Sequence, residues 1–307
     1  MTKITAKPFL KWAGGKTQII DEIAKLLPQK LHKTSFTYIE PFVGSGAVLF
    51  WMLKNFPNIK TAIINDINED LINVYKVIAK NPQKLISILE KYQKRYYELE
   101  NNGDAKKEYY YKQRDLFNQR KEDKITHAAL FIFLNKTCFN GLYRVNSKNE
   151  FNVPIGKYKY PKICDKENIF AVSANLKKVK ILCGDFENTL DYVDKNTFVY
   201  LDPPYKPISK TSSFQSYTMF DFTDKDQIRL KNFCKKLDDL GCTWILSNSD
   251  LTNTNSNDLF FDNLYSEFLI KRVNAKRFIN AIGNKRGTLK ELLITNQKNI
   301  KEYAEGL

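Results

Sequence analysis

Residues 37–66 constrain the possible fold of this chain more than any other stretch. Thr37-Tyr38-Ile39-Glu40-Pro41-Phe42 is a β-branched and aromatic run that ends in the glycine turn Gly44-Ser45-Gly46. The turn opens onto a helical segment, Ala47–Asn55, and a second apolar run follows, Thr61-Ala62-Ile63-Ile64-Asn65-Asp66. Strand, turn, helix and strand in that order make a βαβ unit, which needs a parallel sheet with helices against its faces. A further helix is expected over 69–79.

The rest of the chain sorts around that unit. From 81 to about 135 the pattern is one of long charged helices without a strand, and 138–160, rich in Asn, Gly and Tyr, reads as a hairpin. Strand signals resume at 179–183, 197–201 and 243–247. A helix over 223–240 joins the last two, with Thr223 as its N-cap and Gly241 just past its end. Two late runs, 265–271 and 289–295, are placed to close the sheet. The stretch 206–221 has little periodicity and reads as a mobile loop beside the site. The expected architecture is therefore α/β: a discontinuous sheet domain formed by 1–70 and 170–307, with a helical-plus-hairpin insert over 71–169.

Charge supports this division. The chain carries a net +15, and residues 71–160 hold 18 basic against 9 acidic side chains, which is +9 of that total. A lysine-rich solvated face would explain some of it, but an excess concentrated in one segment suits a polyanionic partner. The longest apolar run, 128–134, is too short to span a bilayer, and Met1-Thr2-Lys3-Ile4-Thr5 lacks an export signal, so a cytoplasmic location is expected. Five scattered cysteines without a C-x-x-C pair, together with only two histidines, point to free thiols and no metal centre.

Three short segments carry chemistry. In Phe9-Leu10-Lys11-Trp12-Ala13-Gly14-Gly15-Lys16 an aromatic face stands beside two glycines and a cation. That suits close approach to a ligand, and it equally suits an N-terminal strand with a turn. In the second segment Asp66 follows Gly46 by twenty positions, the spacing of a carboxylate that bonds a ribose hydroxyl pair. Leu49 stands where a dinucleotide fingerprint has its third glycine, so a nucleoside-type cofactor fits better than a pyrophosphate; a structural turn plus a surface Asp remains open.

The third segment, Asp202-Pro203-Pro204-Tyr205, directly follows an apolar strand. An aromatic amine is a poor nucleophile because its lone pair is delocalised into the ring. Two acceptors that bind both amino protons free that lone pair. Asp202 and the Pro203 carbonyl supply such acceptors, and Tyr205 offers a face on which a base can stack.

With these segments in this order the chain resembles the Dam-type, α-group family of DNA adenine-N6 methyltransferases. The likeness extends through Asn65-Asp66-Ile67-Asn68, Asn140-Gly141-Leu142-Tyr143-Arg144-Val145-Asn146 and Glu150-Phe151-Asn152-Val153-Pro154-Ile155-Gly156-Lys157-Tyr158. It implies a Rossmann-like methyltransferase sheet, S-adenosylmethionine as cofactor and double-stranded DNA as partner, with the protein a monomer or weak dimer. By position, Trp12 and Lys16 contact the cofactor, Asp66 holds its ribose, Phe42 and Gly44 line its methionine end, and Asp202 borders both cofactor and a flipped-out adenine. GATC-specific relatives read their site from a hairpin. That likeness assigns Arg144 to a guanine, Leu142 and Pro154 to the thymine methyl, Lys11 and Tyr158 to the first base pair, and Asn140 to the vacated stack. Two positions depart from the usual pattern: Phe139 replaces a tyrosine and Lys157 an arginine. Other readings left open are an enzyme of the same fold acting on another sequence, on RNA or on protein glutamine, and an inactive DNA-binding module.

Overall fold

The computed structural model describes residues 5–12, 16–206, 222–276 and 288–297. Ala13-Gly14-Gly15 and the expected loop, after Lys206, lie outside the described residues. The chain runs α1 (Ile20–Lys25), α2 (Lys30–Lys33), β1 (Phe36–Glu40), α3 (Ala47–Asn55), β2 (Ile59–Ile64) and α4 (Glu69–Lys80). Then follow α5 (Pro82–Glu98), α6 (Gly103–Gln119), α7 (Lys124–Thr137), α8 (Lys166–Leu176) and β3 (Val179–Ile181). It ends with β4 (Thr197–Leu201), α9 (Asp224–Asp239), β5 (Thr243–Ser249), α10 (Phe260–Leu264), β6 (Leu269–Lys276) and β7 (Thr288–Thr295).

The seven strands form one sheet in the order β3-β2-β1-β4-β5-β7-β6. β3 to β5 are mutually parallel, and β7 enters antiparallel to both β5 and β6. This is the open Rossmann-like sheet that the sequence leads one to expect. Successive side chains of the central strands divide between its two faces. Tyr38, Ala62, Phe198, Tyr200 and Ile245 join one core, while Ile39, Ile63, Val199, Leu201 and Trp244 join the other. Leu230, Phe233 and Leu237 of α9 cover the second face. Phe131 and Phe133 of α7, with Tyr143 and Phe151, belong to the same core as Tyr75 of α4 and Leu49 of α3. The helical segment therefore packs as a continuation of the first face. Truncating an aromatic of this core to alanine typically costs about 3–5 kcal/mol.

Local chemistry sets several boundaries. Thr223 and Asp226 form a reciprocal capping box at the start of α9, and Gly241 beyond its end takes φ 70°. β4 stops at Leu201 because Pro203 and Pro204 have no N–H to give a neighbouring strand. Three sequence expectations shift. No strand forms over the described part of 9–16, where Phe9 and Leu10 make a bend and Lys16–Gln18 a 3-10 turn. β6 starts four residues later than expected, since Tyr265 is buried at the end of α10. In 138–160 the hairpin pairing reduces to two bridges, Cys138 with Ile155 and Val145 with Phe151. Positive φ at Asn140, Gly141 and Asn149 interrupts the extended backbone between them.

Candidate active site

The order of the sheet reverses between β1 and β4, and in open α/β sheets ligands bind in the crevice beyond the carboxyl ends at that point. Glu40-Pro41-Phe42 leaves β1 there and Asp202-Pro203-Pro204-Tyr205 leaves β4, side by side. Asp66 leaves β2 on the adjacent strand.

The glycine turn fits its place closely. Gly44 and Gly46 have φ 48° and 75°. A Cβ on Gly44 would come 3.1 Å from the Trp12 indole nitrogen, and one on Gly46 would come 2.6 Å from the Tyr75 hydroxyl. Glycine is required at both, by conformation and by space. Asp66 folds onto this turn: Oδ2 accepts from the Gly44 N–H at 3.1 Å, and Oδ1 accepts from the Asn68 N–H at 2.9 Å. Burial nevertheless pushes its carboxyl up to about 6, against those backbone bonds. Beside it Asn65 Oδ1 is buried and, among the described residues, has no hydrogen-bond partner. Phe42 packs its ring on Phe186 at 5.3 Å and on Phe222 at 6.0 Å.

Asp202 sits in a polar cluster. Its Oδ1 lies 3.0 Å from Lys16 Nζ and accepts from Ser247 Oγ at 3.0 Å. Among the described residues Oδ2 accepts no hydrogen bond, nor does the Pro203 carbonyl. Burial raises the Asp202 carboxyl, and Lys16 opposes that rise. The Tyr205 hydroxyl donates to Glu291 Oε2 at 2.7 Å, and Lys16 Nζ stands 4.4 Å from the Tyr205 ring centre. Glu40 is buried between these groups, with Tyr38 donating to it at 2.7 Å. Burial and the nearby carboxyls of Asp202 and Asp66 drive its carboxyl well above the usual range.

A second group of residues named from sequence gathers around the hairpin. Lys11 Nζ lies 3.8 Å above the Tyr158 ring. The buried Asn135 clamps Lys11 to the turn: its Oδ1 accepts from the Lys11 N–H, and its amide donates to the Lys11 and Gly141 carbonyls. Phe139 N–H donates to the Pro154 carbonyl at 2.8 Å, which joins Asn140 and Leu142 on one limb to Pro154 on the other. Phe139 is 48% exposed at this tip. Arg144 donates Nε to Asn152 Oδ1 at 2.7 Å, and among the described residues its terminal nitrogens have no partner.

Four contributors went unmarked in the sequence. Glu291, Asn135 and Ser247 act through contacts between distant segments. The signals available were a charge inside the apolar run of β7 and polar residues within α7 and β5. The fourth, Gly184-Asp185-Phe186, leaves β3 beside Asp66, with the Gly184 N–H donating to the Asp66 carbonyl oxygen at 3.1 Å. Its short strand gave a weak signal.

The sheet and its crevice define an open α/β fold with its candidate site at the switch point. A family model described as D12 class N6 adenine-specific DNA methyltransferase matches residues 12–279. The chain is 54% identical over 294 residues to the type II methyltransferase M.MjaIII of Methanocaldococcus jannaschii, covering 94% of this chain and 99% of that one. It is 40% identical to the type II methyltransferase M1.LlaDCHI of Lactococcus lactis subsp. cremoris (97% and 98% covered). It is 36% identical to a DNA adenine methylase of Haemophilus influenzae (95% and 94% covered). The chain belongs to the D12 class of N6 adenine-specific DNA methyltransferases. It is an enzyme that methylates adenine in DNA.

Among the described residues no helix is long and apolar enough to cross a membrane, and no group of His, Cys, Asp and Glu could hold a metal ion.

Proposed function

We propose that this enzyme transfers the methyl group of S-adenosylmethionine to the N6 amine of adenine in double-stranded DNA, at GATC. The observation that carries the reading is the placement of Asp202-Pro203-Pro204-Tyr205 at the switch point of the sheet, next to the glycine turn and Asp66. The residues fit a nucleoside sulfonium. Asp66 offers a carboxylate at the strand end, and among the described residues Asn65 Oδ1 is a buried acceptor without a partner. Trp12, Lys16, Phe42, Gly44, Asp66 and Asp202 hold the cofactor in this reading. When bound, the cofactor supplies an electrophilic methyl group.

In this mechanism Asp202 and the Pro203 carbonyl accept the two amino protons of a flipped-out adenine. That holds the amine tetrahedral and its lone pair free, while the Tyr205 ring, fixed through Glu291, stacks on the base. That freed lone pair would receive the methyl group of the bound cofactor, and Asp202 would take up the amino proton released. Residues 1–70 and 170–307 serve as the catalytic part and 71–169 as the target-recognition part. Within the latter, Arg144 reads a guanine with its two terminal nitrogens, and Leu142 and Pro154 meet the thymine methyl. Lys11 and Tyr158 take the first base pair, and Asn140 takes the vacated stack. The type II names of two relatives support a role as the modification partner of a restriction system.

The test is methyl transfer from labelled S-adenosylmethionine to duplexes with and without GATC, and to the same sequences as RNA. Methylation confined to GATC duplexes supports the reading. Equal labelling of duplexes lacking GATC removes the sequence assignment.

A further inference from the structure

Asp70 lies in the first turn of α4, four positions beyond Asp66, and is buried. Three side chains from distant segments converge on its carboxylate. Arg120, at the end of α6, donates Nη1 to Oδ1 at 2.7 Å and Nη2 to Oδ2 at 2.9 Å. His127 Nε2 stands 2.9 Å from Oδ1, and the Tyr143 hydroxyl donates to Oδ2 at 3.2 Å. Burial would raise this carboxyl, but the bonds from His127 and Arg120 hold it below the ordinary carboxylate range. Arg120 also donates to the Asn149 carbonyl at 3.2 Å.

The cluster grips the recognition hairpin at one limb and at its turn. Tyr143 precedes the Val145–Phe151 bridge, and Asn149 lies in the turn that the bridge closes. Arg120 and Asn149, joined by the guanidinium, both take positive φ, 54° and 60°, a conformation that non-glycine residues avoid. The Tyr143 ring lies 5.0 Å from Phe131 and 5.7 Å from Trp12, near-parallel to each. The next residue is Arg144. A buried charge cluster adds little net stability over apolar packing of the same volume; its distinctive contribution is a defined geometry.

We propose that Asp70 is a positioning residue for sequence readout: through Tyr143 and Arg120 it fixes the backbone that carries Arg144. This rests on the assignment of the hairpin to base readout made above. Asp70 belongs to the helix that follows the cofactor strand, so the cluster also registers the hairpin against the catalytic crevice.

The experiment compares wild type, Tyr143→Phe, Asp70→Asn and Arg144→Ala, as full chains with S-adenosylmethionine. Each is assayed on the preferred duplex and all of its single-base variants, with melting temperature followed alongside. Tyr143→Phe removes only the hydroxyl and keeps the ring stack, so it serves even if Asp70→Asn does not fold. The ratio of kcat/KM for the preferred duplex over its variants is expected to fall roughly three- to tenfold in Tyr143→Phe, the scale of one ordinary net hydrogen bond, and at least as far in folded Asp70→Asn. A lower melting temperature with an unchanged ratio in Tyr143→Phe overturns the proposal, because a merely structural cluster would give that result. Arg144→Ala is judged separately: uniform slowing of all sites removes Arg144 from readout, whatever the ratio in Tyr143→Phe.

Discussion

Replacing Asp66 by asparagine is expected to strengthen the fold and weaken the cofactor site at once. Burial lifts this carboxyl from 3.8 to about 6. At 1.36 kcal/mol per unit, ionising it in the folded protein costs about 3 kcal/mol. The sign follows from proton linkage. Below about 4 the group is protonated in both folded and unfolded chains and costs nothing. As pH rises to about 6 the unfolded chain loses the proton first and the folded state loses stability, and above 6 the full cost is present. Asparagine avoids that cost. Its single amide oxygen cannot serve both the Gly44 and Asn68 N–H groups, which returns roughly 1 kcal/mol. Water reaching the half-buried carboxyl screens a further part. The net gain at pH 8 is about 1–2 kcal/mol, shrinking as pH falls from 6 to 4. Urea unfolding of both proteins across pH 4.5–8 measures it. A variant no more stable than wild type at pH 8, or a difference independent of pH, would refute an ionised Asp66 held against burial. In the wild type the same titration is expected to weaken cofactor affinity about tenfold between pH 7 and pH 5, which calorimetry reads directly.

Three further outcomes test the remaining roles. Asp202→Ala should abolish methyl transfer and keep most of the duplex affinity, measured by anisotropy, because phosphate contacts lie elsewhere; near-normal turnover would mean that another group accepts the amino protons. Tyr205→Phe should reduce kcat by tenfold or less, since it keeps the ring and loses one hydrogen bond to Glu291, whereas Tyr205→Ala loses the stack as well. Arg144→Ala should bring near-cognate sites closer in rate to GATC by roughly 1–3 kcal/mol of lost discrimination. Uniform slowing with a shallower salt dependence would mark it as a phosphate anchor.

The parts of this fold that repeat locally were legible, and the parts made by distant contacts were not. Ala47–Asn55 and Thr197–Leu201 stand where their periodicity and glycine or proline punctuation put them. α8 has no counterpart in the sequence expectations. Its buried positions, Asn168, Ile169, Val172, Ser173 and Leu176, keep helical spacing, but two of the five are polar and blur the apolar stripe. Trp12 shows the other limit. Its neighbours Gly44, Phe131 and Tyr143 lie far along the chain, so sequence marked it as a ligand-facing aromatic without its link to the hairpin. Asp70 resembles an ordinary first-turn acid favoured by the helix dipole, and only the folded chain brings Arg120, His127 and Tyr143 to it.

The charge of the crevice leads to one more expectation. Glu40, Asp66 and Asp202 stand at the carboxyl ends of three adjacent strands, and burial pushes each of their carboxyls upward. Lys16 partly answers this charge through Asp202. A sulfonium supplies a second cation, and its interaction with ionised carboxylates is strongest where water is excluded. Methyl transfer converts the sulfonium to a neutral thioether while the rest of the cofactor keeps its charge. The crevice should therefore prefer S-adenosylmethionine over S-adenosylhomocysteine at pH 8, and the preference should narrow as pH falls through about 6 and Asp66 takes up a proton. Two calorimetric titrations at each pH give the ratio. A ratio that stays constant from pH 8 to pH 5 would mean that Asp66 does not sense the sulfonium charge, and its part in the site would then be confined to the ribose hydroxyls.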